Sequence, residues 1–171
     1  LGQGTTANLA LALQAAASLL IERADLPPER RASIQASIAQ CALATAYGQS
    51  LDSAQVNDEE GYWRIVEAKT PPLFRAALYI GALLGGASDE VARQIEEIGS
   101  MLGKSIQISD DLKDALAKPA ASDWRQRANN LPILYALTAE HSFRQRFLEL
   151  LPRIEEPAAL AEAQDILVRS G

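Results

Sequence analysis

The 171 residues carry 48% apolar and 22% charged side chains, an ordinary globular composition in a chain long enough for one domain with a sizeable core. A net charge of −6 excludes a broad nucleic-acid or anionic-membrane surface, so phosphate has to be held locally or through a cation. The single cysteine, Cys41, excludes an internal disulfide and fits a reducing compartment. Its apolar neighbours, QCALATAY, predict a small core residue.

In chain order, Thr5 or Thr6 is placed to cap a first helix running to about residue 24. Its apolar part, LALALQAAASLLI at 9–21, is interrupted by Gln14 and Ser18 and is expected to be too short and mild for a transmembrane segment. No basic region precedes it, as a signal peptide requires. Pro28 suits the first turn of a second helix, expected over 29–52. Asp58 caps a helix reaching Lys69, and Thr70 is expected to cap another that opens on Pro71 and Pro72 and closes at Gly85-Gly86. Ser88 begins the longest helix, expected to reach about Ala117. After the loop KPAAS come a short turn of helix in DWRQRANN and two or three shorter helices within LPILYALTAE, SFRQRFLELL and PAALAEAQDILVRS. No run alternates apolar and polar residues as a strand does. The expectation is a single all-α domain over residues 1–171, a bundle of long, mostly antiparallel helices.

On the longest helix, Ile95, Ile98, Leu102, Ile106 and Leu116 recur at spacings suited to a core face. A second stripe runs through Ser100, Gly103, Gln107, Asp110 or Asp111, and Asp114, from small residue to amide to carboxylate. Gly99 and Gly103 each cost a helix about 1 kcal/mol relative to Ala, which points to a ligand or a neighbouring helix at close quarters. Asp110 and Asp114 are i,i+4 neighbours whose charges repel unless a cation sits between them. A hard divalent ion, Mg²⁺ above all, takes oxygen ligands and bridges carboxylates to phosphates. A solvated acidic face paired with Lys113 and Lys118 explains the same letters equally well.

Lys69-Thr70, in EAKTPPLF, stands where one helix ends and the next begins. Exposed N–H groups and a positive dipole end suit phosphate there, but a plain capped break with an exposed lysine explains the same letters more simply. Gln49 and Asp52 in YGQSLD share a helix face. Each motif alone is weak.

Their order is specific. GQSLD, then YWRIVEAKTPPLF, then GSMLGKSIQISDDLKD, then NNLPILYAL resembles the C-terminal part of the trans-isoprenyl diphosphate synthases, the polyprenyl synthetase family. The resemblance covers about residues 40–137 and implies an isoprenoid-synthase-type bundle that is incomplete at the N-terminus. It implies a Mg²⁺-dependent prenyltransferase condensing isopentenyl diphosphate with an allylic diphosphate to a linear prenyl diphosphate. By the same resemblance Asp110 is a direct Mg²⁺ ligand, and Asp111 and Asp114 act through metal-bound water. Lys69 contacts the leaving diphosphate, Thr70 and Gln107 line the cavity near the developing cation, and Gln49 and Asp52 belong to the polar shell. A cytoplasmic homodimer is implied too.

The resemblance departs from the pattern in three places. A first aspartate-rich motif is expected upstream of residue 1, because neither Asp25 nor the acidic run at 58–60 substitutes for it. Ala128 stands where the family carries a lysine, leaving Arg125 and Arg127 as candidates for that contact. Ile106 stands where a phenylalanine usually precedes the glutamine. These departures keep two alternatives open: terpene cyclisation or peptide prenylation on the same scaffold, and a non-catalytic partner subunit. His141, near a helix end, is expected to face solvent, and Trp63 and Trp124 to pack against neighbouring helices.

Overall fold

The computed structural model describes residues 2–52, 58–126 and 129–170. The helices are α1 (Gln3–Arg23), α2 (Pro28–Asp52), α3 (Glu59–Lys69), α4 (Pro71–Leu84), α5 (Asp89–Ala115), α6 (Ser122–Gln126), α7 (Leu131–Thr138), α8 (Arg144–Leu150) and α9 (Pro157–Ser170), with a 3₁₀ turn at Leu151–Arg153. Among the described residues there is no strand, so the architecture is all-α.

Several helix ends are built as their residues dictate. Asp58 Oδ1 accepts the Gly61 N–H at 2.7 Å at the start of α3, and Ser88 Oγ accepts the Val91 N–H at the start of α5, each satisfying an orphan donor of the first turn. Gly86, at φ +91°, turns the chain between α4 and α5. Two caps differ from expectation. Neither Thr5 nor Thr6 starts α1: Gly2 is the cap, and Thr6 bonds back to its carbonyl. Thr70 makes no capping bond, because its hydroxyl is spent on another helix.

α5 packs most extensively on α4. A Cβ added at Gly99 would stand 2.6 Å from the Phe74 carbonyl oxygen, and one at Gly103 would stand 2.6 Å from the Pro71 Cα. As α5 advances from 99 to 103 its contacts on α4 retreat from 74 to 71, so the pair is antiparallel. The glycines therefore seat a neighbouring helix. This corrects the expected core face of α5: Ile98, Leu102 and Leu116 are exposed, Ile95 and Ile106 are half-buried, and the buried positions are Ala92, Gly99, Gly103, Asp111 and Ala115. Large aliphatics mark a helix's core only when packing distance is set by large side chains, and here it is set by small ones.

α2 lies against α3 and α4, closing on α3 where a Cβ at Gly48 would meet the Ala68 carbonyl carbon at 2.5 Å. Ile34, Tyr79, Leu83 and Ala92 form one buried cluster; Tyr62, Val66 and Leu134 form a second. The largest joins Ala115, Trp124, Phe147 and Ile166 with their neighbours from α7 to α9. Trp124 is buried there as expected, its indole N–H on the Ala115 carbonyl. Trp63 is half-buried, edge-on to Tyr62. Cys41 is half-buried beside a surface groove rather than in the core. His141 is also half-buried, with Nε2 3.0 Å from the Ala136 carbonyl.

None of α1 is buried, although the Gln35 side chain on α2 donates to the Ser18 carbonyl at 2.7 Å. At 21 residues α1 is long and apolar enough to cross a membrane, so the expectation that this stretch is too short for a span fails on length.

Gly99→Ala is expected to lower stability by about 1–3 kcal/mol in urea unfolding, because the added methyl meets backbone that cannot yield. Gly81→Ala, with open space around it, is expected to gain up to about 1 kcal/mol from helix propensity.

Candidate active site

The C-terminal ends of α2, α3 and α5 converge on α6 and on the residues just before α7. Between them lies a cavity of about 280 Å³ lined by Asp52, Lys69, Gln107, Asp111, Asp114, Asp123 and Asn129, with Ile65, Val66 and Ser122. Four carboxylates face one ammonium, a balance that favours cations.

Lys69, the last residue of α3, reaches back to Asp52, the last of α2, with Nζ 2.5 Å from Oδ2. Asn129 donates to Asp52 Oδ1 at 3.1 Å and to its carbonyl at 3.2 Å, and Gln49 approaches Oδ2 at 3.5 Å. Partial burial opposes the Asp52 charge, but the Lys69 hydrogen bond, the Asn129 amide and the Lys69 charge outweigh it and hold the carboxyl below its ordinary value.

Thr70 Oγ1 donates to Gln107 Oε1 at 2.6 Å, joining α4's start to α5. Gln107 Nε2 in turn donates to Asp111 Oδ1 at 2.8 Å. Asp111 is 3% exposed. Its Oδ2 accepts the Tyr62 hydroxyl at 2.7 Å and the Leu131 N–H at 2.9 Å. Burial pushes this carboxyl up from the ordinary aspartate value; the Leu131, Tyr62 and Gln107 donors pull the other way. Burial, then the hydrogen bond to Asp111 and the Asp111 charge, push the Tyr62 hydroxyl up as well. Asn130, fully buried, donates to the Asp111 carbonyl at 2.7 Å and to Asp123 Oδ2 at 3.0 Å, and its own side-chain oxygen caps α7.

The three aspartates of the acidic motif thus have different surroundings. Asp111 is tied into the protein, Asp114 lines the cavity and is exposed, and Asp110 projects into solvent with Lys113 Nζ 2.8 Å from Oδ1. Among the described residues no three His, Cys, Asp or Glu side chains gather as a metal cage. Arg125 does not approach the cavity: it binds Glu155 at 2.6 Å and the Ala120 carbonyl at 3.0 Å, facing the α8–α9 end. The positions Arg127 and Ala128 lie outside the described residues. Lys69, Thr70, Gln107, Asp52, Gln49, Asp111 and Asp114 are brought together. Sequence reasoning missed Tyr62, Asp123 and both Asn129 and Asn130. Tyr62 sits seven residues before Lys69 and Asn130 directly before the Leu-Pro pair, but only the fold brings both to Asp111.

With the geometry in view, the chain can be placed among known proteins. The family model described as Polyprenyl synthetase matches residues 1–167, and the chain belongs to the polyprenyl synthetase family. A dimethylallyltranstransferase of Mycobacterium tuberculosis is 31% identical over 156 residues, covering 90% of this chain and 47% of that protein. A heptaprenyl diphosphate synthase component 2 of Geobacillus stearothermophilus is 39% identical over 85 residues, 46% of this chain and 27% of that protein. The crystal structure of a geranylgeranyl pyrophosphate synthetase from Pyrococcus horikoshii superposes with a TM-score of 0.72 at 27% identity, over 87% of this chain and 49% of that one. The fold is therefore that of the isoprenoid synthases, and the chain spans about half the length of the relatives that it matches over most of its own length.

Lys69→Met is expected to cost about 1 kcal/mol at pH 7, the worth of a half-exposed ion pair. Because the Asp52 pKa is held below 3.8, the pair contributes fully above that value. Its contribution is lost as pH falls through the lowered pKa. Urea unfolding of both proteins between pH 7 and 3 should show the two stabilities converging at the acid end.

Proposed function

We propose that this chain supplies one wall of the active site of a Mg²⁺-dependent prenyltransferase that condenses isopentenyl diphosphate with an allylic diphosphate to a linear prenyl diphosphate. The observation that carries this reading is the meeting of Lys69 at the end of α3 and Thr70 at the start of α4 with Gln107 and Asp114 of α5, in the order of the family's motifs, around one end of the bundle.

The reaction breaks the allylic C–O bond, the electron pair leaving on diphosphate. The isopentenyl double bond attacks the allylic carbon, and a proton is then lost. Lys69 offsets the charge growing on the leaving diphosphate. Asp52 holds that ammonium in position, and Asn129 grips the other oxygen of Asp52. The Thr70 and Gln107 oxygens present partial negative charge to the allylic cation. Asp110 and Asp114 are the groups that would hold Mg²⁺, with Asp123 and Asp52 adding to the negative field. The donor set fits: it is oxygen only, and Mg²⁺ keeps several waters and needs one or two carboxylates plus substrate phosphates rather than a closed protein cage. When bound, the ion supplies positive charge at the diphosphate.

The exposed leucines of α1, Leu9, Leu13 and Leu20, with Leu43 and Tyr47 on α2, are assigned to a homodimer interface of a cytoplasmic enzyme. A second reading, a partner subunit of a two-component synthase, is supported by the relative named as component 2.

Asp114→Ala in the full-length protein is expected to cut incorporation of labelled isopentenyl diphosphate by about 100-fold or more. Unchanged incorporation in the assembled enzyme would favour the partner-subunit reading, and mass spectrometry showing cyclic or peptide-linked products would replace the linear synthase. Leu13→Glu with Leu20→Glu is expected to shift sedimentation from dimer to monomer.

A further inference from the structure

The hydrogen bonds around Asp111 have a direction. Tyr62 and the Leu131 N–H donate to Oδ2, and Gln107 Nε2 donates to Oδ1. An ionised carboxylate only accepts, so the Gln107 amide must turn its nitrogen to Asp111 and its oxygen to Thr70. The Thr70 proton is then committed to Gln107 Oε1, and the hydroxyl lone pairs remain for whatever occupies the site. The Tyr62 ring is 0% exposed, boxed by Val66, Leu134 and the edge of Trp63. Its hydroxyl thus has one fixed aim.

We infer that Tyr62 is a positioning residue of this site: through Asp111 it sets the polarity of the hydrogen-bond chain that runs across Gln107 to Thr70. An amide is nearly symmetric in shape, so packing alone does not choose between its oxygen and its nitrogen. Hydrogen bonding has to choose, and a carboxylate clamped from its far side does so. Without the Tyr62 hydroxyl, Asp111 Oδ2 keeps only the Leu131 N–H and can rotate. Gln107 is then free to flip and turn a donor toward Thr70, which reverses the local dipole at the place where the proposed reaction develops positive charge. The kinetic part of this inference rests on the prenyl-transfer reading; the hydrogen-bond polarity does not.

The test is Tyr62→Phe, which keeps the ring and removes only the hydroxyl. In the full-length protein kcat is expected to fall about ten-fold with the KM of both substrates changed less than about two-fold. Tyr62→Phe combined with Asp111→Asn should fall no further than Asp111→Asn alone. An unchanged kcat, or losses that multiply, would overturn the inference. A second readout needs no turnover: in protein labelled with ¹⁵N-glutamine, the Gln107 side-chain amide pair, assigned by its loss in Gln107→Ala, should be slowly exchanging. It should move and exchange faster in Tyr62→Phe. A pair that stays put overturns the inference. If Tyr62→Phe fails to fold, the isosteric Asp111→Asn carries the same NMR test with the same two outcomes. Amide signals that move in Tyr62→Phe, together with a wild-type protein that transfers no prenyl group, would sink the proposed reaction and leave the positioning intact.

Discussion

A carboxylate inside a helical bundle has to be surrounded by donors, because an uncompensated buried charge costs several kcal/mol. Asp111 meets that demand with groups from α3, α5 and the first turn of α7. The Leu131 N–H is one of the orphan donors at a helix N-terminus, where the dipole also favours negative charge. Asn130 adds a bond to the backbone carbonyl of Asp111 itself. One side chain therefore fixes how far α5 advances past α3 and where α7 can begin. The cavity that separates these helices takes its shape from that knot. Asp114, one turn on, faces the cavity because Asp111 has already fixed the rotation of α5.

The same logic explains the glycines. Thr70 reaches Gln107 only because α4 and α5 nearly touch one turn earlier, where Gly103 opposes Pro71. A residue with a Cβ at 103 would push the axes apart and lengthen the hydrogen bond above it. The propensity cost of a mid-helix glycine, about 1 kcal/mol, is offset by a polar contact that no bulkier residue would permit. Gly48 does the same between α2 and α3, beside the Asp52–Lys69 pair. Close backbone approach and placement of site residues are one design here.

Much of this was legible in the letters, for reasons that differ by residue. Asp58, Ser88 and Gly86 act locally, through their own turn, and their roles follow from type and position. The ordered motifs led to the family and fold. Residues whose partners lie far along the chain were harder. Thr70 reads as a cap and is instead a link to Gln107, 37 positions away. Ile98, Leu102 and Leu116 read as core and are exposed, because α5 packs through its small residues. Asp111 is indistinguishable in sequence from Asp110, yet one is buried and the other solvated. Arg125 is near the site in sequence and tied to Glu155 in space.

The apolar residues are unevenly shared along the bundle. The cluster spanning α7 to α9 holds most of the buried side chains, whereas α1 contributes none. Local opening follows such differences in burial. In the single chain, without the partner proposed to cover α1, its amide protons should therefore exchange with solvent long before those around Phe147 and Ala163. Warming would strip the molecule from its first helix inward, leaving the small C-terminal helices as the last folded remnant.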